Sequence, residues 1–163
     1  MTCQTEADFV ARYGGIYEHS PWIAAACWPA VQSALESVDL AALMARQVDT
    51  ADRATQLALI RAHPDLAGRL AVAGNLTQAS AVEQASAGLD QCSAEEFHEF
   101  QQLNTAYVEK FGFPFVMAVR GSHRRAILKA FASRLRNSYE DEFNTALSEI
   151  HKIARLRLEQ LDP

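Results

Sequence analysis

The chain is poor in cysteine, and its cysteines form no motif. Cys3, Cys27 and Cys92 stand far apart, with no CxxC pair and no His/Cys grouping at the spacing of a zinc site. An odd number of scattered thiols is typical of reduced cysteines. The first residues also lack the basic-then-apolar pattern of a signal peptide. We therefore expect a cytoplasmic protein with reduced thiols and no metal site.

Long apolar runs and basic clusters are also missing. No apolar stretch approaches the roughly eighteen residues of a membrane span, so we expect no membrane association. The formal net charge is −5, and no basic stripe or tail stands out, which argues against nucleic-acid binding. A small anionic substrate is not excluded, because one or two local arginines suffice to bind it.

Strand signals are nearly absent. No run alternates apolar and polar residues cleanly, and no turn pairs suggest hairpins. The one β-prone stretch, residues 111–119, contains Pro114, so we interpret it as a buried extended connector. Hydrophobic residues make up 49% and charged residues 21% of the 163 residues, as in ordinary globular chains. We predict an all-α fold, with residues 1–163 forming a single compact domain of about seven to nine helices.

Capping residues predict where the helices begin and end. Apolar spacing predicts a helix over about 38–47 and a short helical turn over 65–73. Glycines are expected to end four helical segments, at Gly14-Gly15, Gly74, Gly88 and Gly112. The expected N-caps are Thr5, Ser20 before Pro21, Thr50, Ser80, Ser93 with a capping box, Ser122 and Ser138.

His63 stands at a predicted break in a helix. Pro64 disfavours the α region for the residue before it, so the helix that begins near Thr50 is expected to end here. His63 follows Ile60 by three residues and therefore shares the apolar side of that helix. Such a histidine can face a cleft and titrate near neutral pH, or it can be a hydrogen-bonded structural residue at a helix end. The other histidines are interpreted as surface residues: His19, His98, His123 and His151.

Glu83 and Gln84 lie in a helix of mostly small residues. Small side chains let a helix pack closely, which can partly bury a carboxylate and raise its pKa. The alternative is an exposed Glu-Gln pair. Ser80, three residues earlier, is interpreted as an N-cap rather than a nucleophile, since no GxSxG motif surrounds it.

Arg157 lies within the apolar stripe of the last predicted helix. It follows Ile150 by seven residues and Ile153 by four. An arginine on a core-facing stripe is uncommon and needs a partner, which is either a buried carboxylate or an anionic ligand. Three other basic residues are interpreted as solvated charges: Arg134, Lys152 and Arg155.

Four motifs together resemble the OHCU decarboxylases, the 2-oxo-4-hydroxy-4-carboxy-5-ureidoimidazoline decarboxylases of uric acid degradation. They occur in the family's order over nearly the whole chain, and residues 17–22, Tyr-Glu-His-Ser-Pro-Trp, also resemble the family. One departure is that Ala24-Ala25-Ala26 stands where the family usually has a glutamate. The motifs are His63-Pro64-Asp65-Leu66-Ala67-Gly68, Ser80-x-x-Glu83-Gln84-x-x-Ala87-Gly88-Leu89, Phe111-Gly112-Phe113-Pro114-Phe115-Val116 and Leu156-Arg157-Leu158.

The resemblance implies an all-helical, cofactor-free enzyme, generally a homodimer, that converts OHCU to (S)-allantoin with release of CO2. It implies that His63 is the catalytic histidine and that Glu83 contacts the substrate, where we expect Glu83 to assist proton transfer. The substrate-binding positions that it implies are Pro64, Ser80, Gln84, Phe115, Val116, Met117, Ala118, Val119 and Arg157. Two other interpretations stay open: a non-catalytic helical module that binds a small ligand or a protein, and a decarboxylase of a related ureido acid.

Overall fold

The computed structural model describes residues 3–34, 37–68 and 74–162. Along these residues the chain forms eight α-helices and one 3-10 turn, Leu89–Gln91, and no β-strand. The all-α prediction is confirmed. The helices are α1 (Glu6–Tyr13), α2 (Trp22–Ser33), α3 (Leu40–Asp49), α4 (Arg53–Arg61), α5 (Gln78–Ser86), α6 (Ala94–Phe111), α7 (Arg124–Arg134) and α8 (Tyr139–Leu161).

Several predicted helix ends are confirmed. Thr5 and Ser93 each form a capping box, so the N-cap hydroxyl and the N3 carboxylate satisfy each other's backbone N–H groups. The Ser138 hydroxyl accepts from the Asp141 N–H at the start of α8. Gly88 and Gly112 both have φ of 73°, a left-handed conformation that favours glycine and ends a helix.

Four predicted N-caps are wrong, three of them because a neighbouring residue caps the helix and the fourth because α2 has no side-chain cap. Thr50 ends α3, and the Asp52 carboxylate caps α4 by accepting from the Thr55 N–H at 2.8 Å. Thr77 caps α5 in place of Ser80. The remaining two are Ser122, where the His123 ring caps α7, and Ser20, whose hydroxyl donates to the Glu18 carbonyl instead.

The chain divides into two compact units. One comprises Met1–Ala62 with His151–Pro163, and the other comprises His63–Ile150. Helix α8 contributes its residues up to Ile150 to the second unit and those from His151 to the first. The single domain expected over residues 1–163 stays a prediction.

The first unit packs α1 against α2 and α2 against α3. Its core comprises apolar side chains from all four of its complete helices and from the loop after α1. Pro29 lies inside α2, which continues to Ser33, so this proline does not end the helix. The buried side chains of this core include Phe9, Tyr17, Ile23, Cys27, Met44, Val48, Leu59 and Ile60.

The second unit is built around an aromatic cluster. The connector predicted over residues 111–119 is found over 112–119, because Phe111 ends α6. These residues form no helix or strand, and Phe113, Phe115, Val116 and Val119 are buried. The Phe115 ring stacks on Phe131 of α7, with centroids 3.9 Å apart. Aromatic packing thus fixes this strandless segment in the core.

The structure also bears on membranes and metals. None of the helices in the described ranges combines the length and apolar composition that a membrane crossing requires. Within the same ranges, no group of three or more His, Cys, Asp or Glu side chains is arranged to hold a metal ion.

Candidate active site

His63 lies where α4 ends, as predicted. The helix stops at Arg61, and residues 63–68, here called the His63 loop, leave it in a turn. Pro64 explains the break, because it disfavours helical geometry at His63. The His63 side chain is 7% exposed. A helical turn is predicted over 65–73, but residues 65–68 belong to the His63 loop and are not helical. Residues 69–73 lie outside the described ranges.

Side-chain amides hold the backbone of the His63 loop. The Gln84 amide oxygen accepts from the Ala67 N–H at 3.0 Å, and its nitrogen donates to the Asp65 carbonyl at 3.3 Å. From α6, Asn104 donates to the Leu66 carbonyl at 3.0 Å, and Gln101 donates to the Ala67 carbonyl at 2.8 Å. Three successive carbonyls of the loop are therefore each satisfied by a different side chain.

Helix α5 brings the predicted residues Ser80, Glu83 and Gln84 into the second unit. Ser80 and Gln84 lie four residues apart on one helical face and are buried, whereas Glu83 is half-buried. The alternative of an exposed Glu-Gln pair is therefore wrong for Gln84. The structure joins Gln84 directly to the His63 loop.

The connector that carries Phe115–Val119 is held by α7 and α8. Arg134 donates to the Val116 carbonyl at 2.7 Å, and its guanidinium lies 4.2 Å from the centre of the Phe115 ring. The Ala118 N–H donates to the Glu149 carboxylate at 2.9 Å. Met117 and Ala118 are half-buried. Ala118, one of the predicted substrate-binding positions, thus has its backbone N–H bonded to a carboxylate of the protein itself.

Arg134 is not the solvated charge that the sequence suggested. It pairs with Glu142, whose carboxylate is fully buried and also accepts from the Tyr107 hydroxyl and from the Asn137 amide. Burial raises the pKa of Tyr107 well above its usual range, and the hydrogen bond to Glu142 raises it further. We call these four side chains the Glu142 cluster: Tyr107, Arg134, Asn137 and Glu142.

Arg157 belongs to the first unit and is buried there, as its place in the apolar stripe predicted. Its side chain is 6% exposed and donates to the Glu18 carboxylate at 2.9 Å and to the Ile16 carbonyl at 3.3 Å. Of the two kinds of partner left open by the sequence, the structure shows the buried carboxylate. Arg155 is exposed, as expected.

His151, interpreted as a surface residue, is a bridge within the first unit. One ring nitrogen lies 2.8 Å from the Tyr17 hydroxyl and the other 3.1 Å from the Asp49 carboxylate. Burial raises the pKa of Tyr17 well above its usual range. The interpretation failed because spacing along α8 does not reveal groups on other elements.

A mostly apolar cavity borders the His63 loop at Ala67. It has a volume of about 620 Å³ and is lined from α5, the 3-10 turn and the start of α6. This size is ordinary for a small-molecule pocket. Ala67 and Gln84 are among its walls, whereas the lining drawn from the described residues includes neither His63 nor Glu83.

The sequence analysis missed Gln101, Asn104 and Glu142. Two of them carried a usable signal. Asn104 follows Phe100 by four residues and precedes Tyr107 by three, so it lies on the apolar stripe of α6, as Arg157 does on α8. Glu142 precedes Ala146 by four residues in the same way. Glu18 lies in a loop, where no periodicity marks it as a partner of Arg157.

Comparisons with known proteins identify relatives of this chain. The sequence model of the OHCU decarboxylase family matches residues 3–159. The chain is 48% identical over 152 residues to a 2-oxo-4-hydroxy-4-carboxy-5-ureidoimidazoline decarboxylase of Haloferax volcanii, covering 93% of this chain and 87% of that one. It is 43% identical over 155 residues to the protein of the same name from Mus musculus, covering 94% and 86%.

A solved structure has a similar fold. The crystal structure of (S)-allantoin synthase superposes with a TM-score of 0.77 at 31% identity, covering 97% of this chain and 51% of that one. The present chain thus corresponds to about half of that protein. Together with the matched residues 3–159, these likenesses show that the chain belongs to the OHCU decarboxylase family.

Proposed function

We propose that this protein decarboxylates 2-oxo-4-hydroxy-4-carboxy-5-ureidoimidazoline to (S)-allantoin in uric acid degradation, with His63 as the acid/base group. The observation that carries the proposal is the His63 loop. A buried histidine stands at a helix break, and its loop is bonded to the helix of the Ser80-x-x-Glu83-Gln84 motif. This arrangement occurs in a chain whose relatives bear the name of that decarboxylase.

The reaction suits such a site. The substrate carries a carboxylate and a hydroxyl on one ring carbon, next to a C=N bond. When the carbon–carboxylate bond breaks, CO2 leaves and the C=N group takes up the electron pair. The protein must orient the carboxylate out of the ring plane, accept the hydroxyl proton and deliver a proton to one face of the adjacent carbon. Positioning and acid/base catalysis each supply several orders of magnitude in rate.

In this proposal His63 acts at the substrate hydroxyl. Glu83, half-buried on α5, assists proton transfer and holds the ureido or ring N–H groups. Pro64 and Ser80 shape the site beside these two residues. The opposite assignment, a structural histidine in a binding module, predicts no acceleration of CO2 release.

Gln84 and the connector Phe115–Val119 orient the ring oxygens. The structure adds a condition to this role. Gln84 already bonds Asp65 and Ala67, and the Ala118 N–H already bonds Glu149. An amide nitrogen carries two N–H groups, so Gln84 can hold the loop with one and a substrate oxygen with the other.

Arg157 is proposed either to bind the substrate carboxylate or to hold Glu83 in place. Its buried pairing with Glu18 supports a fixed orientation of the guanidinium. If Arg157 binds the carboxylate, it must not stabilise the bound substrate more than the transition state, since that would lower KM without raising kcat.

We further propose that the protein is a homodimer, as the family resemblance implies, and that it is cytoplasmic, as its scattered cysteines suggest. Sedimentation equilibrium of the purified protein at several concentrations distinguishes a dimer from a monomer. Fractionation of cells that produce the chain tests the location.

The decisive experiment supplies freshly made OHCU to the purified protein and follows CO2 release and the optical activity of the product. We expect both to develop faster than in buffer. The variant His63→Asn should lose about 10²- to 10⁴-fold in kcat, the usual size of an acid/base contribution, while the protein stays folded, which its thermal unfolding checks. His98→Asn, at an exposed position of α6, is the matched control and should match the wild type.

Each alternative predicts a different outcome. Near-normal turnover of His63→Asn would remove His63 from the acid/base role. Binding of OHCU without any faster reaction would favour the non-catalytic module. A negative result with OHCU and a positive one with another ureido acid would favour the related decarboxylase.

A further inference from the structure

We propose that Gln101 and Asn104 of α6 are positioning residues that set the orientation of His63 by fixing the backbone of the His63 loop. For its effect on turnover, this inference rests on the proposed function. It does not require either residue to contact the substrate. Neither residue belongs to any motif that carried the family resemblance.

The hydrogen bonds provide the first argument. Asn104 donates to the Leu66 carbonyl at 3.0 Å and Gln101 to the Ala67 carbonyl at 2.8 Å. Gln84 completes the set through the Asp65 carbonyl and the Ala67 N–H. Buried backbone groups outside helices need partners. Side chains of α5 and α6 supply those partners here, so these two helices determine where the loop runs.

The backbone at Ala67 provides the second argument. Its φ is 48°, a left-handed conformation that is unfavourable for a residue with a Cβ. Such conformations persist where the surroundings hold them, and they are enriched at functional sites. At Ala67 the N–H is held by Gln84 and the carbonyl by Gln101. The amides therefore hold the chain in a turn that alanine does not favour, four residues after His63.

The burial of Asn104 provides the third argument. The side chain is 6% exposed, between the fully buried Phe100 and Tyr107 on the same helical face. Its Oδ1 is buried, and no hydrogen-bond partner for it exists among the described residues. A buried polar atom without a partner destabilises the fold. Packing alone favours an apolar side chain at this position, so the bond to Leu66 is the interaction that accounts for an asparagine.

The test compares variants that remove one donor and keep the side-chain volume. Gln101→Met leaves the Ala67 carbonyl without its partner, and Asn104→Leu does the same for Leu66. Gln102→Met, at the adjacent exposed position of α6, is the matched control. Each variant is assayed for kcat and KM with fresh OHCU and for its thermal midpoint. The ring signals of His63 are followed by NMR across pH.

We expect kcat of Gln101→Met and Asn104→Leu to fall about tenfold or more per folded molecule, since a misplacement of about 1 Å costs up to 10²-fold. KM should change less than threefold. The His63 ring signals and their titration midpoint should shift in both variants and stay fixed in Gln102→Met. A merely structural role would move the thermal midpoint without moving the His63 titration.

Two results would overturn the inference. One is unchanged kcat and unchanged His63 signals in both folded variants. The other is a loss of activity that matches the lost folded fraction, with the His63 titration in place. Failure of the proposed function looks different: the wild type then fails to accelerate OHCU decay, while the His63 signals of Gln101→Met still shift and support the positioning role.

Discussion

Two buried arginine–carboxylate pairs, one in each compact unit, have nearly the same geometry but different surroundings. Arg157 meets Glu18 and Arg134 meets Glu142, each at 2.9 Å, and the carboxylates are 2% and 0% exposed. Glu142 also accepts from Tyr107 and from Asn137. A buried pair stabilises a fold only when further hydrogen bonds satisfy its remaining polar atoms. The Glu142 cluster meets that condition with protein groups of the second unit.

The contacts beyond each carboxylate indicate different roles. Arg134 continues to the Val116 carbonyl and the Phe115 ring, so the Glu142 cluster fixes the connector against α7 and α8. Arg157 continues to the Ile16 carbonyl and ties the loop of the Tyr17–Trp22 motif to α8. The Arg134–Glu142 pair therefore serves the framework of its unit, whereas the Arg157–Glu18 pair joins two segments that carry the family resemblance.

The largest effect is expected from Glu142→Ala. Removing the carboxylate takes from the buried Arg134 guanidinium its ionic partner and from the Tyr107 hydroxyl its acceptor, which should lower the free energy of unfolding by about 3–5 kcal/mol. Urea denaturation measures this loss. Glu140→Ala, at an exposed position of the same helix, should change stability by less than about 0.5 kcal/mol. Equal midpoints for the two variants would show that the Glu142 cluster does not stabilise the second unit.

Arg157→Met should have a smaller effect on stability and a clear effect on activity. Methionine keeps apolar contacts but leaves Glu18 buried without this partner, so we expect a loss of about 2–4 kcal/mol. Glu18→Gln in the same chain should recover part of it, which a double-mutant cycle measures. Turnover of OHCU should fall more than the folded fraction does. Arg155→Ala should leave both quantities unchanged, and a similar deficit there would contradict the assignment.

Local sequence rules predicted what depends on neighbouring residues. The capping boxes at Thr5 and Ser93, the glycine ends at Gly88 and Gly112, and the break at His63-Pro64 are all confirmed. Each depends on groups within about four residues. The buried face of α8 was equally readable, because an arginine among residues spaced by three and four must be buried with them.

Contacts across the fold were not readable in this way. Arg134 is the last residue of α7, a place where a basic side chain normally sits in solvent near the helix C-terminus. Only the fold brings Glu142 and the Phe115 ring to it. Thr50 and Ser122 failed as caps for a different, local reason: Asp52 and His123, which lie nearer the helix starts, each accept an N–H of the first turn. His63, Glu83 and the other site residues stay predictions of the resemblance.

The smallest expected effect concerns the thiol of Cys27 and the phenol of Tyr17, which are buried in the first unit in their protonated forms. Burial raises the pKa of the Cys27 thiol to about 11, and it raises the pKa of Tyr17 as well. In the second unit, burial raises the pKa of the Tyr107 phenol, and the Glu142 carboxylate raises it further. The dependence of stability on alkaline pH therefore tests whether burial alone keeps Cys27 protonated in the folded protein.

The sign of the pH effect follows from proton binding. An unfolded thiol ionises near pH 9, whereas folded Cys27 keeps its proton to about pH 11. Between these values the unfolded chain binds fewer protons, so the free energy of unfolding falls as pH rises. We expect Cys27→Ala to lose about 1–2 kcal/mol less than the wild type between pH 9 and 11, measured by urea denaturation. Cys3→Ala, at a half-exposed position, should follow the wild-type slope. If Cys27→Ala does the same, burial of the thiol is not the cause of the alkaline loss.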